Sequence, residues 1–238
     1  MKQLNIVHLY PNEMNTYGDR GNLLVLKRRT EWHGYEPVVH FHHPGQPFPE
    51  EADLLLGGGG QDSAQTDIEQ DLLVIGDRLR VLAEAGTPML MICGMYQLFG
   101  RRFVTHDRGE LKGISIFDLE TFASPKRLIG NVAIQTEAFG TLYGFENHSG
   151  RTFLGSGLAP LGTVTRGNGN NGQDKTEGAR FKNVIGTYLH GPILPANPAL
   201  ADMLIGAAAR NRYGSFSPQA IDDSLAGLVR SQAKRRAY

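Results

Sequence analysis

Pro88-Met89-Leu90-Met91-Ile92-Cys93-Gly94-Met95-Tyr96-Gln97-Leu98-Phe99-Gly100 is the stretch whose reading decides the fold. Residues 88 to 92 form an unbroken apolar run behind the turn signal of Gly86 and Pro88, the pattern of a strand buried on both faces. Gly94 permits a tight turn, and Met95 to Phe99 can open a helix. Cys93, the single cysteine of the chain, therefore stands on a strand-to-helix elbow. A thiol there is pushed out of the sheet toward substrate, as the serine is in a nucleophile elbow. It also lies at a helix N-terminus, where free N–H groups favour a thiolate and the Gly94 amide can later hold an oxyanion. An isolated cysteine is ordinarily a small buried core residue. The turn chemistry around this one points instead to a nucleophile.

Outward from the elbow, apolar runs and amphipathic segments alternate. The pattern predicts strands at Leu4–Tyr10, Pro37–His42, Asp53–Leu56 and Met89–Ile92, with helices at Leu23–Trp32 and Ile68–Ala85 between them. Such alternation calls for a parallel sheet covered by helices on both faces, with its site at the carboxyl ends of the strands. From Ile114 the pattern changes to short strands with polar turns, at Ile114–Phe117, Asn131–Thr136, Leu142–Asn147 and Val184–Leu189, which reads as an antiparallel or mixed extension. Residues 166–178 are so polar and glycine-rich that they read as a mobile loop. Pro198–Gly206 and Asp222–Lys234 read as helices, and Lys234-Arg235-Arg236 as a solvated helix end. Neither an internal repeat nor a dividing linker is visible, so residues 1–238 read as one domain.

A second reactive group ends another apolar run: His190, in Asn183-Val184-Ile185-Gly186-Thr187-Tyr188-Leu189-His190-Gly191-Pro192. A free thiol with a pKa of about 8.5 is only slightly ionised at neutral pH and needs a base beside it. Two strand ends on the same side of one sheet bring thiol and imidazole together however far apart they lie in sequence. Leu54-Leu55-Leu56 runs into Gly57-Gly58-Gly59-Gly60-Gln61-Asp62, where a backbone amide such as that of Gly59 can give a second oxyanion donor. This is no phosphate loop, because no Lys-Ser/Thr follows. After the first strand comes Asn15-Thr16-Tyr17-Gly18-Asp19-Arg20-Gly21-Asn22, dense in polar groups, in which Asp19 or Asn22 can cap the next helix.

Composition narrows the setting. Basic and acidic residues balance at 24 each over 238 residues, so no net field draws in nucleic acid or an anionic membrane. No apolar stretch is long enough to span a bilayer, and the N-terminal segment reads as a strand rather than a signal peptide. One cysteine excludes an internal disulfide and a CxxC metal site, which suits a reduced, cytoplasmic setting. His40, His42 and His43 cluster in sequence, but without a neighbouring acid or thiol no metal is expected.

The strand–Cys–Gly–helix elbow, the glycine loop one βα unit earlier and the late strand-end histidine together resemble a class I glutamine amidotransferase domain. Ile92–Leu98 and Tyr188–Pro192 are similar to the cobyric-acid-synthase-like branch. Tyr17–Asn22, Gly58–Asp62 and Gly144-Phe145-Glu146-Asn147-His148-Ser149-Gly150 resemble the glutaminase subunits of lipid II isoglutaminyl synthases. The resemblance implies a flavodoxin-like domain with a mostly parallel central sheet and an antiparallel extension. It implies that Cys93 attacks the side-chain amide of L-glutamine, that His190 acts as general base and then acid, and that Arg127 binds the glutamine α-carboxylate, with Lys126 as an alternative contact. Gly59 and Gly94 become the expected oxyanion donors, and no cofactor is implied. Two departures stand out: Met91 and Met95 replace the flanking glycines common in class I elbows, and Pro192 replaces the acid often found two residues past the histidine. A Cys–His dyad is therefore expected, its third member absent or supplied from elsewhere. With no Walker loop in the chain, the resemblance implies a separate ATP-dependent, Mur-ligase-like synthetase subunit in a heterodimer. The competing readings are a glutaminase for another amidase, such as a cobyrinate-type synthase, and a non-catalytic binding module.

Overall fold

The computed structural model describes residues 1–235 of the chain, without the side chains of residues 234 and 235; the solvation expected of the basic end Lys234-Arg235-Arg236 concerns side chains outside what it describes. In chain order the elements are β1 (Lys2–Leu9), α1 (Arg20–Trp32), β2 (Tyr35–His42), β3 (Leu54–Gly57), α2 (Asp62–Glu84), β4 (Met89–Ile92), α3 (Gly94–Leu98), β5 (Arg102–Val104), β6 (Glu110–Lys112), β7 (Leu119–Thr136), β8 (Gly140–Leu154), β9 (Gly162–Arg166), β10 (Thr176–Glu177), β11 (Ala179–Phe181), β12 (Val184–Thr187), α4 (Ile193–Ala196), α5 (Pro198–Tyr213) and α6 (Ser224–Arg235).

The first sheet has the order β11-β12-β4-β3-β1-β2. All of its pairings are parallel except that of β11 with β12. Its strands are short and apolar for the reason the sequence suggested. Every residue of β3, β4 and β12 is buried, as a strand covered on both faces must be. Helix α2 buries Ile68, Leu72, Ile75, Leu79 and Leu82, spaced three or four residues apart as one face of a helix requires. The parallel order β2-β1-β3-β4-β12 is the flavodoxin-like arrangement.

The second sheet has the order β10-β9-β7-β5-β6, with β8 pairing β7. Its backbone is the antiparallel ribbon of β7 and β8, paired from Leu119↔Leu154 to Thr136↔Gly140, with an irregularity between Ala123 and Leu128. The ribbon is tied to the first sheet by two backbone hydrogen bonds between Phe145 and His190, His190 N–H donating at 2.7 Å and Phe145 N–H at 3.3 Å.

Two expectations are corrected. Ile114–Phe117 is not a strand: the N–H groups of Ile114, Ser115 and Phe117 donate to the carbonyls of Leu98, Gly100 and Phe99. The segment thus satisfies the carbonyls that helix α3 leaves unpaired at its end, while Ile114 and Phe117 are buried by packing. Residues 166–178 are not a mobile loop either. Asn170, Asn171 and Glu177 are buried. Asn170 Nδ2 donates to Gly178 O at 3.0 Å and Asn171 Nδ2 to Thr152 O at 3.1 Å, so side-chain amides supply the ordering that apolar residues do not.

Candidate active site

β12, β4, β3 and β1 are consecutive neighbours in the parallel sheet, so the segments leaving their carboxyl ends meet at one edge. Those segments carry His190, Cys93, the glycine loop and the Tyr17–Asp19 loop respectively. The apposition is tightest at Gly59. A Cβ there would stand 3.0 Å from His190 Cε1 and 3.2 Å from Cys93 Cβ, so the absent side chain is what lets the two groups approach. Gly94 is required in the same way: its Cβ would meet Met14 Cε at 2.7 Å and Gly60 N at 3.2 Å, which sets the glycine-loop amide beside the elbow.

Cys93 takes φ 49° and ψ −102°, a backbone conformation rare for a residue with a side chain and typical of strained functional positions. It is held by its own N–H to Thr187 O at 2.8 Å and by Gln97 N–H to its carbonyl at 3.0 Å. Met91 and Met95, unexpected around such an elbow, are fully buried and lie where a Gly57 Cβ would sit 2.9 Å from each. The methionines fill the space beside a glycine, and the elbow keeps its shape.

The electrostatics differ from the expectation of a stabilised thiolate. Burial, with Asp19 next, pushes the Cys93 thiol up to about 12; Arg127 and the Gly94 N–H oppose the rise but do not cancel it. A helix of five residues offers little dipole to set against burial. Burial likewise lowers His190 to about 3, assisted by its electrostatic interaction with His148 and Arg127. The resting pair is neutral thiol and neutral imidazole. Among the described residues neither nitrogen of His190 has a hydrogen-bond partner, and Pro192 supplies none. Tyr17 covers the imidazole, with ring centroids 4.2 Å apart.

A cleft of about 380 Å³ opens over Cys93, within the range of small-molecule sites. Its walls include Tyr17, Gly60, Gln97, Arg127, Asn147 and His148. Arg127 lies inside β7, at the irregularity of the ribbon. Its Nε donates to Asn147 Oδ1 at 2.8 Å and its Nη2 to Asn147 O at 2.9 Å. Lys126 is not part of the cleft wall; its carbonyl accepts from Arg151 Nη2. Of the two expected oxyanion glycines, Gly94 donates toward the thiol, whereas the Gly59 N–H is taken by Asp19 Oδ2 at 2.7 Å. Gly59 contributes space, and the amide nearest the elbow belongs to Gly60.

His148 and Asn147 were noticed in the sequence only as part of a similar stretch. The structure puts His148 flat on Tyr188, centroids 3.6 Å apart and planes 7° off parallel. Alternation along β8 is the signal that could have found the division of labour: Glu146 and His148 face inward, and Asn147 between them holds Arg127. The clustered histidines go elsewhere. His40 Nε2 meets Asn5 Oδ1 at 2.9 Å and His42 Nε2 meets Asp71 Oδ2 at 2.8 Å. Among the described residues no three potential ligands gather for a metal, and no helix is long and apolar enough to cross a membrane.

Thiol, imidazole and glycine loop on three adjacent parallel strand ends, under an arginine-rimmed cleft, define the class: an α/β glutamine amidotransferase domain. Residues 5–198 match the CobB/CobQ-like glutamine amidotransferase domain. The chain is 40% identical over 224 residues to the lipid II isoglutaminyl synthase (glutamine-hydrolyzing) subunit GatD of Staphylococcus aureus (strain N315), covering 94% of this chain and 91% of that one. It is 42% identical over 215 residues to the subunit of the same name from Streptococcus pneumoniae (strain ATCC BAA-255 / R6), covering 89% and 83%. A crystal structure of a glutamine amidotransferase superposes with a TM-score of 0.60 at 17% identity, covering 85% of this chain and 98% of that one; at that identity the likeness speaks to fold alone. The chain belongs to the CobB/CobQ-like glutamine amidotransferase family, on its GatD branch.

Proposed function

We propose that the chain, working as a single domain, is the glutaminase subunit of a lipid II isoglutaminyl synthase. Its partner would be a Mur-ligase-like synthetase that uses the ammonia to amidate the stem-peptide glutamate of lipid II to isoglutamine. The observation that carries the catalytic part is the Gly59 gap, with Cys93 on one side and His190 on the other. Arg127, its guanidinium anchored by Asn147, offers the fork that suits the α-carboxylate of a free amino acid. That contact would set the side-chain amide of L-glutamine over the elbow.

The reaction follows from the resting charges. Because thiol and imidazole both start neutral, the thiol proton passes to His190 as sulfur attacks the amide carbon, and no free thiolate need be held in a buried site. The carbonyl π pair becomes an oxyanion beside the Gly94 and Gly60 amides, donors already in place. Collapse breaks the C–N bond, His190 returns its proton to the departing nitrogen, and ammonia leaves a glutamyl thioester on Cys93. Water, deprotonated by His190, then releases glutamate and restores the thiol.

The synthase assignment rests on the near end-to-end match with subunits bearing that name, and the need for a partner on their description as subunits. The purified chain should release ammonia from glutamine, and with ATP, lipid II and a Mur-ligase-like partner it should yield amidated lipid II. Cys93→Ala should abolish both glutamine-dependent activities while free ammonium still supports amidation. Ammonia release that survives in Cys93→Ala would remove the thiol from the mechanism; a partner indifferent to this chain would leave only the glutaminase.

A further inference from the structure

Asp19 occupies the N-cap position of α1, where its side chain would be expected to hold the first helical amides. It makes no such bond. Its side chain is instead fully buried and turned toward the glycine loop, where Oδ2 accepts the Gly59 N–H at 2.7 Å. On the other side of the same residue, the Gly59 carbonyl accepts the Thr16 N–H at 3.0 Å. The loop after β1 therefore grips Gly59 by both of its backbone polar groups. Gly59 is the residue whose missing Cβ would stand 3.0 Å from His190 Cε1, 3.2 Å from Cys93 Cβ and 3.5 Å from Asp19 Oδ2. A buried carboxylate is expensive, and helix capping does not account for this one. Nothing in the bond-making and bond-breaking above uses it either.

We propose that Asp19 is a positioning residue of the glutaminase site: by clamping the Gly59 amide it fixes the peptide that spaces Cys93 from His190 and sets the following amide, Gly60 N–H, beside the elbow. The inference rests on the glutaminase reading of Cys93 and names a residue through which that reading works. The clamp needs an acceptor oxygen, not a charge. The charge has a separate effect, because an anion beside a thiol disfavours the thiolate. The charged and titratable groups facing Cys93 are Asp19, Asp62 and Arg127, the hydroxyls of Tyr17 and Tyr188, and His190 across the Gly59 gap. A change at Asp19 leaves the others in place.

Two variants separate the roles. Asp19→Asn keeps an oxygen where Oδ2 stands and should keep kcat within about threefold of wild type, since one neutral hydrogen bond replaces a charge-assisted one. Asp19→Ala releases Gly59 and should lower kcat roughly 10–100-fold at nearly unchanged KM, the cost of loosening spacing and an oxyanion donor while Arg127 is untouched. In both, the pH profile of Cys93 alkylation by iodoacetamide should move to lower pH, which a merely structural role would not produce. The proposal is overturned if Asp19→Ala keeps kcat within about twofold of wild type, if Asp19→Asn loses as much as alanine does, or if the alkylation profile stays put. Should Asp19→Ala lack a cooperative melt, Asp19→Asn decides alone: retained kcat with a shifted profile supports the clamp, and any other result overturns it. Failure of the glutaminase reading itself looks different, as ammonia release persisting in Cys93→Ala.

Discussion

Gly59→Ala places one methyl group in the gap between nucleophile and base, and the structure sets the size of the effect. The new carbon would stand 3.0 Å from His190 Cε1 and 3.2 Å from Cys93 Cβ, whereas carbon atoms rest at about 3.5–4.0 Å. The backbone does not object, since Gly59 is not among the glycines with positive φ. Strain therefore falls on the two side-chain neighbours, which must separate by roughly half an ångström to one ångström in all. His190 cannot retreat freely, because Tyr17 is packed on its ring and its backbone is bonded to Phe145. A misplacement of about 1 Å can cost about 100-fold in rate, so kcat should fall roughly 10–100-fold. KM should hold nearly steady, because Arg127 and Asn147 lie away from the change. Overpacking of this kind costs about 1–3 kcal/mol, a drop of several degrees in Tm for a domain of this size. Ammonia release against glutamine concentration, with a melting curve on the same preparation, gives all three quantities. A kcat within about twofold of wild type, with the fold intact, would refute the claim that Cys93 and His190 act together across Gly59.

Arg127→Ala should raise KM for glutamine about 5–30-fold, the loss of a charge-assisted contact discounted for exposure to solvent. Alkylation of Cys93 by a small uncharged reagent should remain possible, and an unchanged KM would move carboxylate recognition elsewhere. Glu177 gives a stability test away from the cleft. Burial raises its carboxyl from 4.5 to about 8, against opposing bonds from the Tyr188 N–H and the Thr187 hydroxyl. The fold thus keeps a proton that the unfolded chain gives up. This contribution is fully present below about pH 4.5 and is lost as pH rises through about 8. Glu177→Gln should flatten the decline of Tm between about pH 4.5 and about pH 8; a slope equal to wild type would contradict the buried, protonated carboxyl.

The sequence by itself determined what depends on neighbours along the chain. The run from Met89 to Ile92 could only be a strand covered on both faces, and the strand-to-helix elbow at Cys93 follows from five apolar residues, one glycine and a short amphipathic start. The βα alternation before it placed the carboxyl-end site for the same reason, because hydrophobic period and turn chemistry are local properties. The tertiary structure decided whatever depends on partners distant in sequence. Polar residues 166–178 pack because Asn170, Asn171 and Glu177 find hydrogen-bonding partners in other segments, at Tyr96, Thr152 and Thr187, and no local pattern announces such matches. The long β7–β8 ribbon exists through register between strands, and only that register brings Arg127, within a short and irregular polar stretch, to Asn147 and the cleft. Asp19 read locally as a helix cap; its bond to Gly59, across forty residues, forms because β1 and β3 are neighbours in the sheet. The thiol's high pKa belongs to the same class of fact, since it is set by burial and by charges that meet Cys93 only when four strand ends converge.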